Sequence, residues 1–203
     1  MVEDTTTWLP LSTPVRTIAA VPSSTPYAVC VFCASSSEID PRYLTLATET
    51  GEAIAQNGWT LVSGGGGISM MGAVAAGARD QGGHTVGVIP QALVDLEVAD
   101  HQAGELVVTM DMRHRKGVMD ERSDAFLALP GGIGTLEELM EVWTAHSLNM
   151  HEKPVVVLDP WGDYDLLRAQ VALWVERGFV RPDAVARVCW VTSVDEAMAA
   201  LSR

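Results

Sequence analysis

Hydrophobic residues in this chain come in short runs, set between stretches of helical period. Tyr27 to Phe32 and Ala125 to Leu129 are continuous apolar runs, and Trp59 to Val62, His84 to Ile89, Leu106 to Thr109, Lys153 to Leu158 and Val188 to Val191 are the other strand segments. A strand with one wet face alternates apolar and polar positions, whereas a short run without alternation suits a strand buried on both faces. Local signals mark helices between the runs. Asp40 is a good N-cap and Pro41 fits the first helical position of a segment that continues to about Gln56 and stops at Asn57-Gly58. An alanine-rich helix follows Gly72 and ends at Gly82-Gly83, and Asp111 caps a segment holding Met112 to Lys116. Leu136 to Asn149, Asp163 to Arg177 and Ser193 to Leu201 are the remaining helical stretches. Strands alternating with helices predict an α/β fold: a Rossmann-like, doubly wound parallel sheet of about seven strands with helices on both faces. Residues 1–26 are rich in Pro, Ser and Thr and predict a flexible tail; residues 27–203 predict a single domain without internal repeats.

Composition narrows the setting. A chain of 203 residues fits one domain with a substantial core. No run reaches the ~20 apolar residues of a membrane span. The start, Met1-Val2-Glu3-Asp4, lacks the basic and apolar regions of a signal peptide, so a cytoplasmic protein is expected. The formal net charge of −13 argues against a nucleic-acid or anionic-membrane surface. Against that charge the cluster Arg113, Arg115 and Lys116 stands out, since Lys116 and Lys153 are the sole lysines. Cys30, Cys33 and Cys189 are too few for a disulfide framework. Cys30 and Cys33 lie in an apparent strand, where a spacing of three places them on opposite faces, so both are expected in the core. His146 and His151 are five apart, off any shared helical face, and no carboxylate spacing completes a metal site; no metal is expected.

The chemistry concentrates in Leu129-Pro130-Gly131-Gly132-Ile133-Gly134-Thr135-Leu136-Glu137-Glu138, at the end of one strand and the start of a helix. Glycine admits close approach of a ligand, and the unpaired first amides of a helix favour an anion. Thr135 could cap the helix or donate to a phosphate. Glu137 and Glu138 fall in the first helical turn on this reading. There they either stabilise the helix N-terminus, at ~0.3–1 kcal/mol each, or do chemistry beside a bound anion. A second glycine-rich turn, Ser63 to Gly72, also joins a strand to a helix. It fails the dinucleotide fingerprint G-x-G-x-x-G, because the sixth position from Gly64 is Ser69, and no Walker A motif exists. Both turns lie at carboxyl ends of strands, where ligands of open parallel sheets bind. The hydroxyls of the Ser35-Ser36 stretch, after the first strand, serve either a ligand or the turn itself.

Pro130, Gly131, Gly132, Gly134, Thr135 and Glu138 together resemble the signature PGGxGTxxE of the Lonely Guy (LOG) family. Ser63 to Gly72 resembles that family's GGGxxGLMG, with Ser69 for a glycine and Met70 for leucine. Pro90 to Leu93, with Glu97 downstream, resembles its VIPxxL segment. Met112, Arg115 and Lys116 match its MHERK, while Arg113 and His114 depart from it. The likeness covers roughly Tyr27 to Phe179. It implies a nucleoside 5'-monophosphate phosphoribohydrolase acting on AMP or cytokinin-type nucleotides, without a cofactor. It further implies that Arg115 and Glu138 are the catalytic pair. The implied substrate site comprises Glu97, Arg115, Lys116, Gly131, Gly132, Ile133, Gly134, Thr135, Leu136, Glu137, Glu138 and Thr144. The chemistry is consistent: breaking the bond from ribose C1' to a base makes the sugar oxocarbenium-like, and a carboxylate stabilises that charge or orients water. A non-catalytic nucleotide carrier or sensor would use the same loops but would not need Glu138. A lysine decarboxylase, a label some relatives carry, would need a Schiff-base lysine, for which only Lys116 and Lys153 exist. Family members are dimers. Leu136, Leu139, Met140, Val142 and Trp143 put apolar residues on more than one face of their helix, so a homodimer burying it is expected.

Overall fold

The structure, a computed structural model, describes residues 26–96 and 98–202. The proposed tail thus lies outside the described residues except for Pro26, as does Glu97. The elements run β1 (Ala28–Phe32), α1 (Pro41–Gln56), β2 (Thr60–Ser63), α2 (Ser69–Asp80), β3 (Thr85–Pro90), α3 (Gln91–Val94), β4 (Glu105–Thr109), α4 (Met112–Glu121), β5 (Ala125–Ala128), α5 (Ile133–Ser147), β6 (Val155–Leu158), α6 (Asp165–Glu176), α7 (Pro182–Val185), β7 (Val188–Val191) and α8 (Val194–Leu201). Seven strands form one sheet in the order β4-β3-β2-β1-β5-β6-β7, every pair parallel. No described helix is long and apolar enough to cross a membrane.

Successive strand residues feed two separate cores, as burial on both faces requires. Val29, Val31, Ala125, Leu127, Val156 and Leu158 pack under α1, α2 and α8. Ala28, Cys30, Phe32, Phe126, Val155 and Val157 pack under α4, α5 and α6. Cys33 joins the first core and Cys30 the second. Both are unpaired and buried, and burial pushes both thiols well up from their ordinary pKa. The helices α1 and α2 touch through their backbones: a Cβ on Gly51 would lie 2.0 Å from the Val74 carbonyl oxygen, and one on Gly77 would lie 2.3 Å from that of Thr48.

The alanine-rich helix α2 starts at Ser69 and takes Gly72 into its first turn, earlier than expected. The starts of α5 and α6 and two short helices also differ from the sequence expectation, for identifiable reasons. The α5 helix starts at Ile133, three residues early, because Gly132 serves as its N-cap. Asp163 and Tyr164 stay outside α6, since both amides donate to the Asp159 carboxylate at 2.8 and 3.0 Å. The one-turn helices α3 and α7 are too short to leave a period in the sequence. His146 and His151 are also nearer than their spacing suggests. The chain reverses after α5, with Asn149 at φ 57°, and brings the two rings to 5.0 Å. Among the described residues, no group of three His, Cys, Asp or Glu side chains could hold a metal.

From β1 the sheet grows outward through β2, β3 and β4; the chain then returns across it to place β5 on the other flank of β1. The loops after β1 and β5 therefore leave in opposite directions, and a crevice opens between them at the carboxyl end of the sheet.

Candidate active site

That crevice is a cavity of about 460 Å³ lined by the β1–α1 and β2–α2 connections and by residues of α2, α3, α4 and α5. The β1–α1 loop contributes Cys33 to Ser36, the β2–α2 turn contributes Ile68, the first turn of α2 contributes Met71, and α5 with its N-cap contributes Gly132 to Thr135, Glu137 and Glu138. Met112 and Arg115 enter from α4. The Ala34 amide donates to the Pro130 carbonyl at 3.3 Å, and the Tyr164 hydroxyl donates to that of Leu129 at 2.8 Å, so the central turn is held from both sides.

The start of α5 is open. No side chain caps it, and no acidic residue occupies its first turn. Thr135 is the third helical residue, not the cap. It is buried against Gly131, where a Cβ would come within 2.1 Å of its Oγ1, so the sequence needs glycine there. The earlier start of α5 also moves Glu137 and Glu138 into the second turn. Stabilisation of a helix N-terminus by charge fades beyond the first turn, so that reading loses its ground for Glu138. The start of α2, on the opposite wall, likewise has no side-chain cap and no acidic first turn.

Glu138 turns inward to Arg115. The Arg115 Nη1 donates to Glu138 Oε1 at 3.0 Å, and its Nε donates to the Val88 carbonyl at 3.0 Å. Arg115 is only 7% exposed. The guanidinium has this place because residue 64 is glycine: a Cβ there would sit 1.7 Å from Nη2. Asp111 caps α4 by accepting from the His114 amide at 2.8 Å, which starts the helix in register to aim Arg115 at the sheet. Burial raises the pKa of Glu138 above the ordinary glutamate value, while the Arg115 charge pulls it back down. A second, smaller cavity of about 190 Å³ reaches Glu138 from the side of Phe126, Met119 and Val142. Glu138 thus stands where two cavities meet.

The other anticipated residues are dispersed. Lys116 does not line the main cleft; it lines the smaller cavity beside Glu138 and pairs with Glu137 and Glu141, bracing α4 against α5. Leu136 is half-buried against the core beneath α5. Thr144 is exposed and lies along a separate apolar groove with Met140, Trp174 and Val180; a single chain does not bring it to the cleft. Arg113 and His114 are exposed. Leu93, Ile68, Met71 and Met112 were missed as lining residues. Met71 and Met112 sit within recognisable motifs, but nothing in the spacing marks an apolar wall.

The fold and the cleft define a doubly wound α/β protein with two uncapped helix N-termini and a largely buried arginine–carboxylate pair at its carboxyl-end crevice, an arrangement suited to an anionic ligand. A family profile described as "possible lysine decarboxylase" matches residues 71–201. The cytokinin riboside 5'-monophosphate phosphoribohydrolase of Mycobacterium marinum is 52% identical over 174 residues, 86% of this chain and 92% of that one. The cytokinin riboside 5'-monophosphate phosphoribohydrolase LOG5 of Arabidopsis thaliana is 42% identical over 154 residues, 76% of this chain and 68% of that one. Among solved structures, the molybdenum cofactor binding protein of Rippkaea orientalis superposes with a TM-score of 0.67 at 22% identity, covering 89% of this chain and 98% of that one. That last likeness shows the fold alone. The chain belongs to the Lonely Guy family.

The decarboxylase label finds no chemical support in the lysines. Lys116 is held by two carboxylates, and Lys153 donates to the carbonyl and carboxylate of Asp120 at 2.7 and 2.6 Å. Neither lines the main cleft.

Proposed function

We infer that the chain is a phosphoribohydrolase, which cleaves the N-glycosidic bond of purine nucleoside 5'-monophosphates, AMP or its cytokinin-type N6 derivatives. One water is consumed, and free base and ribose 5-phosphate are released. The observation that carries this reading is the buried Arg115–Glu138 pair at the floor of a cleft whose other end is the uncapped start of α5. Amides of Gly132 to Thr135 hold the 5'-phosphate, which places C1' toward the second turn of the helix. There Glu138 stabilises the oxocarbenium-like sugar and directs water at C1' as the C–N electron pair leaves with the base. Arg115 holds Glu138 ionised and in place, and its planar fork offers remaining donors to substrate. Lys116 serves this site through Glu137 and α5 rather than by direct contact from its present position.

A carrier or sensor of the same fold would need the phosphate amides but not a carboxylate buried at the cost of its own desolvation. The family's dimeric habit, together with the exposed apolar residues Ile133, Leu148 and Met150 at the two ends of α5, supports a homodimer as the working form.

Adenine release from AMP and from adenosine at equal concentration tests the reading. Charge-assisted bonds to phosphate contribute ~1.5–3 kcal/mol each, so two or three predict at least ~10²-fold faster release from AMP. Part of that binding energy positions C1', so the loss with adenosine should appear in kcat as well as KM. Equal rates would make the protein a general nucleosidase. Binding of AMP without release would favour the carrier.

A further inference from the structure

Among the described residues, two that are not glycine have positive φ: Asn149 at 57° and Ser69 at 52°. Asparagine tolerates this left-handed region, but serine does so poorly. Ser69 opens α2 directly after the glycine-rich turn, at the position where the resembled segment has glycine, which would take the same backbone without strain. A serine at a helix start usually caps its own helix. Here it does not: Ile68 is the N-cap residue, and α2 has no side-chain cap. The Ser69 hydroxyl instead donates to the carbonyl oxygen of Ser36, on the β1–α1 loop.

The position of that loop gives the bond its meaning. The loop is fastened on its other side by the Ala34 amide donating to Pro130 at 3.3 Å. It therefore hangs between the two glycine-rich turns, one attachment to each. Ser35 and Ser36 line the cleft together with Ile68 and Met71 from one turn and Gly132 to Thr135 from the other. An unpaired carbonyl oxygen in this wall would repel a bound anion, and the Ser69 hydroxyl occupies that oxygen.

We propose that Ser69 is a positioning residue: its left-handed backbone aims the hydroxyl at the Ser36 carbonyl and so fixes the β1–α1 loop as the wall of the cleft at its phosphate end. The phosphate end rests on the function inferred above; the tether itself does not.

Two variants separate the tether from the strain. Ser69→Gly removes the hydroxyl and relieves the backbone, so thermal stability should stay level or rise. Ser69→Ala removes the hydroxyl and keeps the strain, so stability should fall. In both, losing one hydrogen bond predicts amide hydrogen exchange about fivefold faster at residues 33–38. KM for AMP should rise by a similar factor, about fivefold, with kcat changing less than twofold. If wild-type protein does not hydrolyse AMP, the inferred activity fails; exchange and calorimetric AMP affinity then test the tether by themselves. Wild-type exchange in Ser69→Gly would overturn the proposal. So would faster exchange with unchanged KM or affinity, which would leave the bond a purely local feature of the fold.

Discussion

Two residues set what the cleft can do, and a third makes room for them. Glu138 has its pKa raised by burial and lowered by Arg115, with burial the larger effect. A raised pKa means that protonation begins at higher pH than for a free glutamate. If the ionised form works, kcat/KM should fall as pH drops through this value, with an acid limb shifted upward from the ordinary glutamate value. Glu138→Gln should lower kcat by ~10²–10⁴, abolish that limb and leave AMP binding measurable by calorimetry. A Glu138→Gln enzyme with wild-type kcat would remove the carboxylate from the mechanism. Gly64 is tested separately. A Cβ there meets the far end of Arg115 at 1.7 Å and the Met71 sulfur at 3.4 Å, but no backbone atom among its nearest neighbours. Gly64→Ala should therefore fold normally by circular dichroism while displacing the guanidinium. A displacement of this order costs roughly 10²-fold in kcat/KM.

At the scale of elements, α4 and α5 carry the site, and their packing can be probed without touching it. Gly117 is exposed within α4, has no positive φ, and leaves open space where a Cβ would stand, with no neighbouring atom within 4 Å. Replacing a helical glycine with alanine gains ~0.5–1 kcal/mol, so Gly117→Ala should raise Tm by roughly 1–4 °C. A lowered Tm in calorimetry would mean that the local backbone is not as described. The sheet was legible because seven short, apolar-rich segments have one economical explanation, and the caps Asp40 and Asp111 act as their residue types predict. The start of α5 was not legible: Gly132 caps through backbone geometry alone, and glycine announces a turn without saying where the helix resumes. For the same reason the turn occupied by Glu138 had to be seen. The Arg115–Glu138 contact joins positions 23 residues apart and depends on the absence of a side chain at Gly64, which no spacing along the chain encodes. Thr144 followed from resemblance alone, and in one chain it faces a groove away from the cleft.

At the scale of the molecule, the unsettled surface is the outer side of α5. Leu139, Val142 and Trp143 are buried within the chain, and Leu136 and Met140 are half-buried, so the residues that first suggested a partner are largely covered already. The demand for cover moves to the ends of the helix. Ile133 at its start is 88% exposed, and Leu148 and Met150 beyond its end are 61% and 74% exposed. Met110 and Met112, at the entrance to α4, are also exposed. Apolar residues spread over two neighbouring helices are what a stable interface buries, at ~800 Å² per partner. Ile133 lines the cleft as well, so a partner covering it would also wall the open side of the cavity. A dimer through this surface would link assembly to catalysis. Light scattering at micromolar concentration should give twice the chain mass of 21.7 kDa. Leu148→Asp, a surface change remote from Arg115, should shift that mass toward one chain, because an unpaired carboxylate in an apolar interface is costly. It should also raise KM for AMP at protein concentrations where the wild type stays associated. A single-chain mass for the wild type would refute the assembly, and a dissociated Leu148→Asp variant with unchanged KM would separate assembly from the site.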